Sequence, residues 1–368
     1  MKTALRPSSL AEAREALLDT AGPLAIAGAG TAADWAGRLG PVESVLETTG
    51  LTGIVTHNPG DMTVAVRAGT PLRELQAELA PHGQHVSLDA ARIADGATVG
   101  GLVATGDAGP SALVHGTLRD LVIGTTIVLS DGSVARSGGH VIKNVAGFDL
   151  AKLLHGSHGT LGLLTEVVLR LHPVPTAVGT VVVECGLAEA TRLAREVVSS
   201  QLEPTAVEWV SGPGVAGRLL VRIDSTEEAV AARLDRLVAL VGGTADQQHP
   251  SPGWAEHARL TRGTQAVLRI GAKPSLLPGL LERLAASSVT AGLGTGVATL
   301  SLPGHAVAEA HAVVHAVGGT SVLRSRPADL DAPAWGPPPS ALTVLKAVKR
   351  QLDPGARLGP GRFDPWEI

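Results

Sequence analysis

The stretch Asp95-Gly96-Ala97-Thr98-Val99-Gly100-Gly101-Leu102-Val103-Ala104-Thr105-Gly106 decides how this chain is read. It shows neither the alternation of a strand nor the period of an amphipathic helix, yet it is apolar enough to be buried. A buried irregular backbone must find partners for its N–H groups. A diphosphate would supply them, and so would a sheet on which a glycine-rich loop simply packs. Two more glycine-rich stretches accompany it. Upstream is Pro23-Leu24-Ala25-Ile26-Ala27-Gly28-Ala29-Gly30-Thr31, and downstream is Gly156-Ser157-His158-Gly159-Thr160-Leu161-Gly162. Glycine lets peptide N–H groups approach a phosphate with no Cβ in the way. Stretches at this spacing predict a backbone shaped to lie along one long, phosphate-bearing ligand.

The upstream stretch has other readings. Ala27-Gly28-Ala29-Gly30-Thr31-Ala32-Ala33 follows a predicted strand and matches G-x-G-x-x-A, the dinucleotide fingerprint of nicotinamide proteins. That reading wants an acidic residue about 20 positions on, at the end of a second strand. Glu47 stands near that distance, but Val42–Leu46 reads as a poor strand. A purely structural turn is a third reading.

Composition narrows the classes. A chain of 368 residues can hold two domains, each with its own core. A net charge of −4, with 17% charged residues, argues against a nucleic-acid protein, which would carry a basic patch. Met1–Pro7 has no apolar run behind it, so no signal peptide is expected. The most apolar stretch, Leu161–Leu171, is interrupted by Glu166 and Arg170, and no run reaches the roughly 18 residues of a membrane span. The expected location is cytoplasmic, with any membrane association through partners. Cys185 is the only cysteine, which excludes internal disulfides and an iron–sulfur cluster held by this chain alone, since clusters take about four thiolates. With no tyrosine in the chain, a Tyr base is excluded too.

Periodicity divides the chain. Ser8–Leu18 reads as a helix, Leu24–Ala27, Ile54–Val55 and Thr63–Val66 as strands, and Pro71–Leu79 as a helix capped by Thr70. Leu121–Leu129 and Ser133–Ala135 read as a hairpin turning at Asp131-Gly132. Pro173 and Pro175 mark a boundary, and beyond them one pattern occurs twice. Strand 178–184, helix 187–199, strands 206–211 and 217–223, helix 226–240 and strand 243–247 form the first copy. Strand 265–271, helix 275–286, strands 288–292 and 296–302, helix 304–316 and strand 319–324 form the second. Each is β-α-β-β-α-β, the split unit of ferredoxin-like folds. A polar, proline-containing segment, 248–264, separates the copies. After the proline-rich residues 326–340, a last helix carries Leu342, Leu345, Val348 and Leu352 on one face. The fold class is α+β, with domains expected at 1–175 and 176–330 and a returning tail at 331–368.

The first 175 or so residues resemble the FAD-binding domain of the vanillyl-alcohol-oxidase, or PCMH-type, flavoprotein family. The resemblance rests on Gly28–Thr31, Gly69-Thr70-Pro71-Leu72, Ala97-Thr98-Val99-Gly100-Gly101, His115-Gly116 and Gly156–Thr165. Val141-Ile142-Lys143-Asn144-Val145-Ala146-Gly147-Phe148-Asp149-Leu150 is similar to a signature of the 2-hydroxy-acid branch, nearest its glycolate-oxidase group. Leu352-Asp353-Pro354-Gly355 and Gly359-Pro360-Gly361-Arg362 are similar to the tail of the same group.

What the resemblance implies can be placed on this chain. FAD would be bound non-covalently, because the loop holds no His and no Cys is suitably placed. Ala27, Gly28, Ala29, Gly30, Thr31 and Ala32 would cradle the diphosphate. Asp95, Ala97, Thr98, Gly100, Gly101, Ala104 and Thr105 would run along the diphosphate and flavin. Gly159, Thr160, Gly162 and Leu163 would meet the adenosine or the flavin edge. The second domain would be a ferredoxin-like cap over the flavin. The implied reaction is oxidation of a 2-hydroxy acid to the 2-oxo acid by hydride transfer to flavin. The implied partners are a larger flavin subunit and an iron–sulfur subunit that takes the electrons. A stand-alone 2-hydroxy-acid dehydrogenase or oxidase, and a flavin-free scaffold of the same fold, are the alternatives. His115, which the family places near the flavin, and Arg269, one of three strand arginines with Arg222 and Arg324 that suit a carboxylate, are the catalytic or substrate candidates. Lys143-Asn144 suits a flavin-side or a partner contact. His311 and His315, one helical turn apart, have a spacing that can hold a metal, but no H-E-x-x-H motif accompanies them, and no metal is expected.

Overall fold

The structure, a computed structural model, describes residues 3–141, 147–248 and 251–368. The chain forms two compact units. One comprises Met1–Gly109, His115–Val174 and Pro338–Ile368, and the other Pro110–Val114 and Pro175–Pro337.

The first unit begins with β1 (Thr3–Leu5), α1 (Leu10–Asp19), β2 (Leu24–Ala27) and β3 (Ser44–Glu47). The strands form a parallel sheet ordered β1-β3-β2. Ser9 caps α1, its hydroxyl accepting from the Glu12 amide, and Ala13 and Leu17 turn inward. β3 shows that the segment read as a poor strand is one: flanked on both sides by parallel neighbours, four residues suffice. No helix opens after the first glycine stretch, where residues 31–34 form turns. That removes the element on which the nicotinamide fingerprint depends.

Next come β4 (Ile54–Asn58), β5 (Thr63–Arg67), α2 (Leu72–Leu79), β6 (Gln84–His85), α3 (Val99–Thr105), α4 (Ala112–His115, whose first three residues belong to the second unit), α5 (Leu118–Leu121), β7 (Val122–Val128), β8 (Val134–Gly138), α6 (Leu150–Leu154), β9 (Leu163–Arg170) and β10 (His172–Pro173). Five strands make an antiparallel sheet ordered β4-β5-β9-β7-β8, and β6 pairs with β10. Successive strand residues face opposite ways. Ile127 and Leu164 therefore enter the core with α2 and α3, while Val128 and Leu163 enter the one with α1 and β2. Thr70 does not cap α2. Its hydroxyl accepts from the Gly53 amide, and Pro71 takes the cap position without a side-chain bond.

The second unit contains β11 (Ala177–Glu184), α7 (Leu187–Ser199), β12 (Ala206–Gly212), β13 (Val215–Ser225), α8 (Glu227–Val241), β14 (Thr244–Asp246), α9 (Pro252–Arg262), β15 (Ala266–Gly271), α10 (Leu277–Arg283), β16 (Ser288–Gly292), β17 (Val297–Leu302), α11 (Val307–His315) and β18 (Thr320–Ser325). Its eight strands form one sheet ordered β14-β11-β13-β12-β16-β17-β15-β18. Each repeat contributes four, and the repeats join through their second strands, β12 with β16. Buried residues of α7, α8, α10 and α11 pack in one core with alternate strand residues such as Val181, Leu219, Leu268 and Leu300. The polar segment between the repeats holds the unexpected α9, started by Pro252 and stopped at Gly263, whose φ is +65°. Only His257 and Leu260 of α9 are buried, too few to print a helical stripe on the sequence.

The chain closes with α12 (Leu342–Leu352). Val348 and Leu352 pack against the first unit's core, but Leu345 is exposed, and the buried residue of the helix is Lys349. Its ammonium donates to the carbonyls of Thr160 (2.8 Å) and Leu358 (3.0 Å) and to Asp353 Oδ2 (2.7 Å). Burial pulls the Lys349 pKa down. Burial alone would raise that of Asp353, but the ammonium and the Leu358 amide outweigh it and hold the carboxyl below its usual range. Beyond the helix, Leu358 pairs in parallel with Leu24 at the edge of the first sheet. Among the described residues no helix is long and apolar enough to cross a membrane.

Candidate functional site

β2 delivers the chain into the first glycine stretch, which lines a cavity in the first unit. Four carbonyls of the loop, those of Ala27, Gly30, Thr31 and Ala32, are occupied. That of Ala27 accepts from the Thr48 hydroxyl, those of Gly30 and Ala32 accept from the amides of Ala33 and Trp35, and that of Thr31 accepts from Arg92 Nη1 at 2.5 Å. Among the described residues, the amides of Ala29, Gly30, Thr31 and Ala32 donate to no protein acceptor. In a trans peptide the N–H points away from the C=O, so tying up the Gly30 and Thr31 carbonyls turns the Thr31 and Ala32 amides the other way. Gly30, at φ +75°, gives the loop its bend, and a Cβ there would meet nothing within 4 Å.

The Asp95–Gly106 stretch is built differently, and the expectation of irregular backbone is corrected here. From residue 99 it is α3. The Thr98 hydroxyl caps the helix by accepting from the Gly101 amide (3.2 Å), and Gly106 ends it at φ +59°. Its amides are satisfied by protein except that of Thr98, which among the described residues donates to no protein acceptor. Ala97 N donates to Arg92 O, Val99 N to Thr70 O and Gly100 N to Ala68 O. Its glycines make room for protein too. A Cβ on Gly100 would lie 2.8 Å from Ala68 Cβ, and one on Gly101 2.9 Å from Thr98 Oγ1. Gly28 serves the same hydroxyl, which would lie 2.4 Å from its Cβ. The third stretch is mixed: Gly156 N donates to Val103 O, His158 N to Ala104 O and Thr160 N to Ser157 O, while among the described residues the amides of Gly159, Leu161 and Gly162 donate to no protein acceptor. His158 is held at φ +51° and meets Phe363 edge-on, ring centroids 5.9 Å apart.

Of the residues expected at the ligand, Ala27, Gly28, Gly30, Thr31, Ala32, Ala97, Thr98, Gly100, Gly101, Ala104, Thr105, Gly159 and Gly162 share the cavity wall. Four lie elsewhere. Ala29 and Asp95 are exposed, Leu163 is in the core, and Thr160 is buried with its hydroxyl on Ser157 O. His115 ends α4 and is not on that wall. Its ring lies 4.6 Å from that of His172. Burial, the charges of His115 and Arg170, and His85 together pull His172 down to about 4. Arg269 lies on β15 of the second unit, opposite Thr299 and Val322. His311 and His315 both bond to the Ser321 hydroxyl, and among the described residues no group of three metal-binding side chains occurs. Residues 142–146 of the expected branch signature, with Lys143 and Asn144, lie outside the described residues.

Sequence reasoning passed over the charged groups on the wall: Arg92, Asp107 and Arg362. Arg362 stands in the tail motif, so a signal existed. Arg92, a single arginine in an unremarkable Ala-Arg-Ile turn, offered none.

The cavity wall, the loop with open amides and the two-core strand arrangement together define a nucleotide-cofactor domain. Residues 3–138 match the family model described as FAD binding domain, so this segment is an FAD-binding domain and its cofactor is FAD. The fit is physical as well: FAD carries two phosphates, and the loop offers amides without protein acceptors. Glycolate oxidase subunit GlcE of Escherichia coli (strain K12) is 37% identical over 185 residues, 50% of this chain and 51% of that protein. D-lactate dehydrogenase of Archaeoglobus fulgidus is 35% identical over 205 residues, 50% of this chain and 45% of that protein. The chain thus spans about half the length of these relatives. Among solved structures, alkyldihydroxyacetonephosphate synthase superposes over 97% of this chain and 75% of its own, with a TM-score of 0.69 and 15% identity. That likeness is one of fold.

Proposed function

We propose that this chain is the FAD-binding subunit of a glycolate-oxidase-type 2-hydroxy-acid oxidoreductase. The carrying observation is the row of amides at Ala29–Ala32 without protein acceptors, of which Gly30, Thr31 and Ala32 are on the wall of a cavity in an FAD-binding domain. These amides would bind the diphosphate, each contact contributing roughly 1 kcal/mol or more with a charged acceptor. Thr98, wedged between Gly28 and Gly101, fixes the loop against α3, and the small residues Gly100, Gly101 and Ala104 form a close wall for the rest of the cofactor. Asp107 Oδ1 accepts from the Ala108 amide at 3.0 Å, which holds that carboxylate in place. When bound, FAD supplies the two-electron chemistry, and the protein supplies position and polarity. The similarity to glycolate oxidase subunit GlcE favours a 2-hydroxy acid as the substrate class. With Cys185 alone this chain holds no cluster, so the electrons would pass to a larger flavin subunit and an iron–sulfur subunit.

The test is to purify the chain, record its visible spectrum, and add glycolate and then D-lactate without oxygen. Flavin colour that persists with either acid supports the subunit reading. Bleaching by the isolated chain replaces it with a stand-alone dehydrogenase, and a colourless chain that takes up no added FAD leaves a scaffold.

A further inference from the structure

Two arginines distant in sequence grip the segment that follows the open amides. Arg92 donates Nη1 to the Thr31 carbonyl at 2.5 Å, with its guanidinium carbon 4.6 Å from the centroid of the buried Trp35 ring. Arg362 donates one nitrogen, Nη1, to three carbonyls of the same segment: Ala33 (2.8 Å), Trp35 (3.1 Å) and Gly37 (3.2 Å). The Arg362 carbonyl in turn accepts from the Gly37 amide. Both side chains line the cavity, whose wall has one acidic residue, Asp107, among the described residues. Carbonyls and an aromatic face are neutral partners. Such contacts fix a guanidinium in place, and its charge persists at any working pH.

We infer that Arg92 and Arg362 are the cationic half of the diphosphate site, setting affinity for phosphate-bearing over phosphate-free flavins. This rests on the FAD reading above. The open amides supply oriented dipoles, and the arginines supply net charge beside them. A phosphate pairs more strongly with a charged donor than with a neutral one. The three-carbonyl seat of Arg362 also makes the tail part of the cofactor site.

The experiment titrates the full chain, stripped of flavin, with FAD and with riboflavin at low and high salt, followed by flavin fluorescence. Arg92→Gln and Arg362→Gln are each expected to weaken FAD by about 10- to 100-fold, to leave riboflavin within about threefold, and to flatten the salt dependence of FAD binding. Arg92→Lys should recover part of the affinity and most of the salt dependence. Glutamine variants that hold FAD as tightly as the parent overturn the inference. So do variants in which FAD and riboflavin weaken together with salt dependence unchanged, since that marks a purely structural seat. Thermal melting of the flavin-free proteins guards against misfolding, and Arg92, with fewer loop contacts, carries the test if Arg362→Gln does not fold. A parent chain that binds riboflavin but gains nothing from FAD's phosphates sinks this inference alone. One that binds neither sinks the cofactor reading with it.

Discussion

The stretches 28–32 and 95–106 are both glycine-rich and both lie on the same cavity, yet their peptides face opposite ways. In the first, protein donors take the carbonyls of 30–32 and leave the amides of 29–32 without protein acceptors. In the second, protein carbonyls and the Thr98 hydroxyl take the amides except that of Thr98, and the glycines at 100 and 101 exist because Ala68 and Thr98 stand where their side chains would be. Stretch 156–162 combines both: the amides of Gly156, Ser157, His158 and Thr160 donate to protein carbonyls, whereas a buried lysine takes the Thr160 carbonyl and, among the described residues, the amides of Gly159, Leu161 and Gly162 donate to no protein acceptor. Glycine content alone therefore does not mark a phosphate site. The end of the peptide that the protein leaves open does.

This contrast can be broken by mutation. The largest effect is expected from Lys349→Met. It removes the ammonium that holds the Thr160 and Leu358 carbonyls and strands the Asp353 carboxylate in a buried site, which should cost about 3–5 kcal/mol in a denaturant titration. Next is Gly100→Val. Its Cβ alone would lie 2.8 Å from Ala68 Cβ and 3.0 Å from Ala68 O, so α3 must move off Ala68, the residue that follows β5, at a cost of about 1–3 kcal/mol even without flavin. Smallest in stability is Gly30→Ala. Its Cβ meets nothing, and the φ of +75° costs roughly 1–2 kcal/mol. Its FAD affinity, measured by fluorescence, should nonetheless fall more than that of a variant at the exposed Ala29. If Gly100→Val melts like the parent, or Gly30→Ala unfolds the domain, the division between packing glycines and ligand glycines is wrong.

Much of the architecture was legible because its signals are repetitive. The doubled β-α-β-β-α-β pattern is written in alternating valines and leucines, and the strands found at 177–184 and 288–292 lie within a residue of where alternation put them. What escaped notice is where tertiary contact overrides local preference. α3 holds two adjacent glycines, poor helix formers, and persists because Thr98 caps it and Ala68 and Thr70 bond its first turn. β3 owes its existence to its two neighbours. In α12 the apolar stripe pointed to a leucine face, whereas Lys349 is the buried side chain, because three acceptors from distant positions meet there. Arg92 was invisible for a related reason: nothing local distinguishes an arginine that stacks on a tryptophan 57 positions earlier.

The pairing of Leu358 with Leu24 has a consequence for biogenesis. A sheet that opens with residue 3 gains its outermost pairing only when residue 358 leaves the ribosome, after the whole intervening second unit has emerged. That unit has its own eight-stranded sheet and can mature first, while the nascent cofactor domain waits with one edge unpaired until the returning tail arrives.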